Sequence, residues 1–500
     1  MAENFITVEE AENSLLSCAA FLADDIKSAE GYAEAMSAVV PLYIERGDVD
    51  LAAAMADSID DPFVRDRLLM KVAQKCAAID DDDYAFQLAD AIEEYGMQEA
   101  AREAIAGEKA AKAEFEKALE IADALAHSSN AFATIAAHFA SQNRLPEAEQ
   151  TIEKIDFPVT KVSALQSVAL INFNKGDDAA AARFLEKAAA AVEDIEHREE
   201  KIRALLEIGN HFAEIKQNGR AVEALDNAKS NAEKLDNVHR DTFLAGIAYA
   251  FLKAGSIELA DRALDLVADK TQISNALASF AQDFWAKGEK DEALEALEEA
   301  YAILKSQTER ETRDSRARYQ LFATIAVLFA KFEKPERAFE IAQENEDETA
   351  QITAFSQIAQ VFAAQEGKDE LMRQAIRAIA EDSQRVFALI ALADAKKHLE
   401  KKEEARELLS EAAQLSETIE QYTLRSEALL DLAGRFYELG DEERARAISF
   451  ENLQVISQIR NDSSRVVRLA NLSVLYGKYE WPPDEKEREI LKNLVRQSLI

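Results

Sequence analysis

The 500-residue sequence predicts an all-α protein, an α-solenoid of about thirteen antiparallel helical hairpins stacked in chain order, with a capping helix at each end. Three observations predict it. Glycine (14 residues) and proline (7) are scarce against the usual ~7% and ~5%, which removes turn-rich β architectures and flexible linkers. Apolar residues reach 48%, enough for a buried core, and alanine, the best helix former, dominates them. A five-position pattern then recurs along nearly the whole chain. A length that would otherwise suggest three or four domains therefore reads as a repeat array.

From the N-terminus, Thr7–Ala23 reads as a capping helix. The repeat follows. Ile247 is followed at +1 by Ala248, at +4 by Phe251, at +8 by Gly255 and at +13 by Ala260. Phe280 (Ala281, Phe284, Gly288, Ala293) and Leu432 (Ala433, Phe436, Gly440, Ala445) repeat it in full. Weaker copies open at Val39, Ile135, Val168, Ile208 and Ile325, and degenerate ones at Val72, Ile105, Ile358, Leu392 and Leu472. Offsets 0, +1 and +4 share one stripe of a helix. The small +1 residue admits a neighbouring helix, and the aromatic at +4 fills the space beside it. Glycine or asparagine at +8 suits the left-handed residue that ends a helix. Aspartate or glutamate after it, as in Gly47-Asp48 and Gly440-Asp441, suits the start of the next helix. Alanine at +13 is small enough to face the first helix.

The copies are spaced mostly by 33 or by 40 residues. The difference is close to two helical turns, so a second helix lengthens without rotating its buried face. The longer units carry the longer alanine- and glutamate-rich runs, Asp177–Ile195 and Lys402–Ile419. The longest spacing, 45, brackets the charged segment Thr308–Arg316, read as a loop or an overlong helix start and as the candidate seam between two half-arrays. Pro62, Pro158 and Pro335 fall at expected helix starts, whereas Pro41 falls inside one and is expected to kink it. Pro482-Pro483 ends the last copy, and Asp484–Gln497, with Ile490, Leu491, Leu494 and Val495 on one side, reads as the C-terminal cap. The organisation expected is a cap over 1–27, a first array over 28–306, a second array continuous with it over 307–480, and a cap over 481–500.

This signature resembles the tetratricopeptide repeat, in divergent form. In that family a large apolar residue and a glycine adjoin in the first helix, an aromatic follows one turn later, glycine-aspartate marks the turn, and alanine comes early in the second helix. Leu432-Ala433-Gly434-Arg435-Phe436-Tyr437-Glu438-Leu439-Gly440-Asp441 is the best copy, and the likeness covers roughly residues 28–480. Alanine mostly replaces the first glycine, and the early tryptophan and the closing proline of the family are missing. The resemblance implies a right-handed superhelix whose first helices line a concave groove that holds a peptide or helix of a partner protein. Pentatricopeptide repeats share the hairpin length but need basic grooves. HEAT and armadillo repeats run longer and lack the glycine-terminated turn.

Charge narrows the partners. The formal net charge is -37, which argues against nucleic acid and anionic membrane surfaces. Residues 1–100 carry 23 acids against 6 bases, so a basic partner surface is favoured there, whereas 460–500 carry 6 against 8. Cys18 and Cys76 lack any CxxC spacing and read as small core residues in a reducing compartment. No basic leader and no apolar run of membrane-spanning length is visible, so a cytoplasmic location is expected. The commoner nucleotide, zinc and nucleophile motifs are absent. Asp194…His197 and Asp236…His239 sit at different offsets in their repeats and read as surface residues, and Asp80–Asp83 reads as a helix cap. No cofactor, metal or catalytic residue is expected.

The function expected is therefore a non-catalytic protein-interaction scaffold or adaptor. The alternatives are a peptide-signal-binding regulator and a peripheral assembly subunit of a larger complex. In the tetratricopeptide register, groove-facing positions lie at −5, −2, +2, +5 and +6. They place Asn210, Tyr249, Lys253, Asn275, Gln282, Trp285, Gln320, Lys331 and Gln360 in the groove, with Tyr437 and Glu438 further along. Amides pair with a peptide backbone, and exposed aromatics are frequent hot spots. Tyr249 and Trp285 fit equally well as fillers between repeats.

Overall fold

The structure is a computed structural model, which describes residues 5–307 and 314–499. Those residues form 28 α-helices and one 3₁₀ turn, with no strand among them. Packing divides the chain into two units, Met1–Ile105 with Phe355–Ile500, and Ala106–Ala354. The first unit begins with α1 (Val8–Asn13), α2 (Leu15–Asp24), α3 (Ala29–Arg46), α4 (Val49–Asp57), α5 (Pro62–Ala78) and α6 (Asp82–Ala91), and α7 (Tyr95–Ala111) leads out of it. The second unit holds α8 (Phe115–Asp123), α9 (Ser129–Ser141), α10 (Leu145–Ile152), α11 (Pro158–Asn174), α12 (Asp178–Ala191), α13 (Arg198–Glu214) and α14 (Asn218–Ala232). It continues through α15 (Arg240–Lys253), α16 (Ile257–Leu264), α17 (Lys270–Lys287), α18 (Lys290–Ser306), α19 (Ser315–Lys331) and α20 (Pro335–Glu344). Then α21 (Glu348–Ala363) leads back to α22 (Asp369–Ala378), α23 (Asp382–His398), α24 (Lys402–Ser416), α25 (Tyr422–Glu438), α26 (Glu442–Ile456), α27 (Asp462–Lys478) and α28 (Glu485–Ser498).

Each of the thirteen marked positions falls on an odd-numbered helix from α3 to α27, and from α4 to α26 each following even-numbered helix is the second of its repeat. The chain is thus built of tetratricopeptide-like helical repeats. The residue at offset 0 is buried in every copy, from Val39 to Leu472. The second helices of the 40-residue units are the long ones, such as α12, α24 and α26, and those of the 33-residue units are short, such as α4 and α10. At +1, Gly209 shows why small residues recur, since a Cβ there would come within 2.6 Å of Leu225 on the second helix.

In twelve of the thirteen repeats the turn between helices has one geometry. The +8 residue is left-handed in Gly47, Gly176, Gly255, Gly288 and Gly440, and equally in Asp80, Ala113, Asn143, Lys216, Glu333, Glu400 and Glu480. In the tenth repeat the left-handed residue is Gly367, one place later. The next N–H donates back to the +4 carbonyl, as from Asp48 to Tyr43 (3.0 Å), Gln217 to Phe212 (2.8 Å) and Lys401 to Lys396 (3.0 Å), the longer bond of a Schellman motif. Asp81, Asp177 and Asp441 then cap the second helix with their side chains, while Asp48 and Glu289 do not. Pro62, Pro158 and Pro335 occupy first-turn positions, and α3 runs through Pro41. Of the expected seam, residues 308–313 lie outside the described residues, and α19 opens beyond them on an Asp314 cap.

Two repeats break the +4 rule with a buried lysine in place of the aromatic. Lys396 is 1% exposed, and its ammonium sits 2.8 Å from both Asp369 and Glu404, which reach solvent. Lys109 takes the same position in α7 and lies 3.9 Å from Glu114. A long aliphatic stem fills the volume and the charge exits at the edge. Cys18 and Cys76 are buried, and desolvation pushes their thiols up to about 12 and about 11, as inert core residues require.

In place of the single capping helix expected over Thr7–Ala23 there are two, α1 and α2, separated at Ser14, and within the first unit they pack with the C-terminal helices. α2 lies along α27, α3 also packs on α27, and α28 packs on α1 and α2. The register explains this. Ala19, Ala52, Ala85 and Ala118 are each 33 residues apart, and so are Ile26, Ile59, Ile92 and Leu125. α2 is therefore a second helix without a first. At the other end, α27 is a first helix whose turn forms, with Glu480 left-handed and Trp481 N–H donating to Tyr476 at 2.9 Å. Pro482-Pro483 then blocks immediate helix continuation, because the residue before a proline is driven out of the helical region. The helix restarts only at Glu485, and α2 takes the vacant place beside α27. One repeat is supplied by both ends of the chain. Ser463 donates to Glu34 and Ser498 to Asp25, both at 2.6 Å. The wholly buried Glu487 ties α28 down by accepting from Tyr476 (2.5 Å) and Arg446 (2.6 Å).

Candidate partner-binding face

In the second unit every first helix from α9 to α19 packs directly on the next first helix, whereas successive second helices stand further apart and meet through long side chains, as Arg337 of α20 does with Glu298 of α18 and Arg220 of α14 with Glu186 of α12. Elements spaced more tightly on one side than on the other bend toward the tighter side. The outward surface of the first-helix layer is accordingly the inner side of that unit's curve.

Eight of the expected site residues sit on four neighbouring helices of this layer: Asn210 on α13, Tyr249 and Lys253 on α15, Asn275, Gln282 and Trp285 on α17, and Gln320 and Lys331 on α19. Lys253, Asn275, Gln282, Gln320 and Lys331 are exposed, and Asn210 is half-buried. The two aromatics are engaged with their neighbours. Tyr249 stacks on Phe280 with ring centres 6.4 Å apart, and burial, reinforced by the Asp283 carboxylate, raises its phenol pKa. Trp285 stacks on Phe332 at 4.4 Å and carries the Lys290 ammonium 4.6 Å from its ring centre. Both rings bridge adjacent repeats and leave only part of their surface to solvent.

The charge on this layer differs from that of the chain. At the five groove positions of α9, α11, α13, α15, α17 and α19 there is a single carboxylate, Glu214, against Arg203, Lys253 and Lys331. In a chain with 95 acids and 58 bases, that is a local exclusion of negative charge. The remaining positions are amides, small residues and a few apolar side chains.

The other three expected residues belong to the first unit. Gln360 is exposed on α21. Tyr437 stacks on Tyr479 at 3.5 Å, with Trp481 edge-on at 5.6 Å, and Glu438 pairs with Lys397 (2.6 Å) and Lys478 (3.5 Å). The same layer is laced by Arg435–Asp394 and Arg468–Glu427 pairs, so much of its charge is already matched internally.

His197 and His239 stand at the N-caps of α13 and α15, and His398 in the last turn of α23. Among the described residues no cluster of histidine, cysteine and carboxylate side chains has the geometry of a metal site, and no helix is long and apolar enough to cross a membrane.

No protein-family model matches the chain, and no curated protein sequence matches it. Among solved structures, it is similar to Ton1535 from Thermococcus onnurineus NA1 at 17% identity over 71% of this chain and 97% of that one, with a TM-score of 0.26. It is similar to a chain of the APC/C hetero-tetramer Cut9-Hcn1 at 12% identity, covering 89% and 91%, with a TM-score of 0.23. A circular tandem repeat protein with novel repeat topology matches at 14% identity, covering 94% and 88%, with a TM-score of 0.12. At these scores neither topology nor function transfers.

Proposed function

We propose that the protein is a non-catalytic scaffold that binds a partner polypeptide along the first-helix face of its second unit. One observation carries the reading: exposed amides on neighbouring first helices, Asn275, Gln282 and Gln320, lie on a layer whose groove positions hold a single carboxylate, Glu214. Amide side chains offer a donor and an acceptor to a peptide backbone. A neutral to slightly basic surface accepts a neutral or acidic segment that the rest of a chain of net charge -37 would repel. Lys253 and Lys331 supply the cations for such a segment.

Photo-crosslinking tests this. A benzophenone amino acid replaces Gln282 or Gln320 on the inner layer, and Glu299 on the second helix α18, in the full-length protein expressed in its source cells. The expected result is the same crosslinked partner from Gln282 and Gln320 and none from Glu299. A partner captured from Glu299 alone would place binding on the opposite face and sink the proposal.

A further inference from the structure

At three junctions between adjacent repeats a large +5 side chain of one first helix meets the +7 side chain of the next and fills the slot between them. Trp285 fills it against Phe332, and Tyr437 fills it against Tyr479, in each case as stacked rings. Phe173 fills it beside Ile215, with Leu170, His211, Glu214 and Leu185 around them, and a cavity of only about 10 Å³ remains.

The repeat divided between the chain ends has the same slot without the filler. Here +5 is Gly477 on α27 and +7 is Arg46 on α3. An open cavity of about 450 Å³ is lined by Val474, Gly477, Leu42, Glu45, Arg46 and Leu16, among others. Val474 and Gly477 hold the offsets of Leu170 and Phe173, while Leu42, Glu45 and Arg46 hold those of His211, Glu214 and Ile215. Leu16 lines it from α2, the helix that stands in second-helix place. A Cβ built on Gly477 meets nothing within 4 Å. Val474 is 46% exposed. Where Ala140 leaves the slot small, Lys175 at +7 folds over and donates to the carbonyls of Ala140 and Ser141. Arg46 makes no such bond, and its guanidinium is left exposed at the rim.

We infer that this slot is a receptor for an aromatic side chain of a bound polypeptide, which takes the place that Trp285 and Tyr437 take elsewhere. The ring would rest on Leu42 and Val474 beneath the Arg46 guanidinium, as Trp285 rests on Phe332 beside the Lys290 ammonium. The volume lies in the range of small-ligand sites, and a cation over an aromatic face is favourable. This goes beyond the reading of the second unit's first-helix face as the binding layer, since the slot belongs to the first unit.

The test uses methyl-labelled full-length protein and N-acetyl-L-tryptophanamide as probe, with N-acetyl-L-leucinamide as control. The tryptophan probe is expected to shift the methyl resonances of Leu16, Leu42 and Val474 by ring current in a saturable manner, and the leucine probe is not. Arg46→Ala should weaken the tryptophan probe about 3-fold. Gly477→Trp fills the slot from within, so it should shift the Val474 methyls unaided and abolish the response to the probe. Should that variant fail to fold, Val474→Glu, on the exposed rim, removes the apolar wall and should abolish the response of Leu42. Methyls that stay unmoved by millimolar tryptophan probe in the wild type, or that move equally with the leucine probe, overturn the inference. The assay needs no partner, so its failure is separate from failure of the crosslinking result.

Discussion

The left-handed turn residue makes a prediction in which the backbone alone is perturbed. Ala113, Lys216 and Glu333 hold φ of 65°, 60° and 61°, and all three are exposed, so truncation to glycine removes almost no packing. Glu333 has one partner, Lys290 at 3.9 Å, with both side chains more than half exposed, a pair worth close to nothing. An L-residue in this region costs roughly 1–2 kcal/mol, and glycine returns about 0.5–1 kcal/mol of that through its freer unfolded chain. Each glycine should therefore stabilise by about 0.5–1 kcal/mol. The sites lie in separate hairpins, so the triple variant should gain about 2 kcal/mol. Gly288→Ala is the mirror experiment. Its φ is 85° and an added Cβ meets nothing within 4 Å, so a loss of about 1 kcal/mol there is purely torsional. Urea unfolding followed by circular dichroism reads both, with midpoints compared because a long array need not unfold in one step. A triple-glycine variant no more stable than wild type, or a silent Gly288→Ala, would refute the argument that the hairpin imposes this torsion whatever residue occupies it.

Two further outcomes follow from buried polar groups. Lys396→Met keeps the volume and gives up ion pairs whose carboxylates are 54% and 42% exposed, so it should change stability by less than about 1 kcal/mol. Lys396→Ala should cost about 2–4 kcal/mol through the cavity it leaves, and equal losses from both in urea unfolding would show that charge, not volume, holds the site. Burial, opposed by the Phe5 N–H and reinforced by Asp25, pushes the Asp24 carboxyl up to about 6. The folded state then holds this proton more tightly than the unfolded chain, whose carboxyl titrates near 3.9. Its stabilising contribution is complete below about pH 4 and is lost as pH rises through about 6. Asp24→Asn should accordingly melt higher than wild type at pH 8 and level with it near pH 4, and thermal scans with the same gap at both pH values would reject the assignment.

The repeat was legible in the sequence because each hairpin is a local object. Val39, Ile247 and Leu432 recur with the same partners at +1, +4, +8 and +13, and the stripe, the turn and the facing alanine follow from helix geometry within some twenty residues. The same local logic located the second-helix extension and the capping aspartates Asp81, Asp177 and Asp441. Lys216 and Glu333 were illegible as turn residues, because tertiary packing of two helices on each other overrode their own torsional preference. The lysines at the aromatic position were illegible for a related reason: a buried Lys396 needs Asp369 and Glu404 brought to it from the helices on either side.

Sequence by itself determined the repeating unit, its thirteen copies and the scarcity of carboxylates at the groove positions of α9 to α19. It also contained the register that makes α2 a second helix, since Ala19 and Ile26 stand one repeat length before Ala52 and Ile59. Only the tertiary structure decided that α2 lies beside α27, that Trp285 and Tyr437 fill slots between repeats, and that Gly477 leaves the equivalent slot open against Arg46. Periodic burial is read from neighbours a few residues apart, whereas a contact between residues more than four hundred positions apart depends on how all the intervening repeats stack.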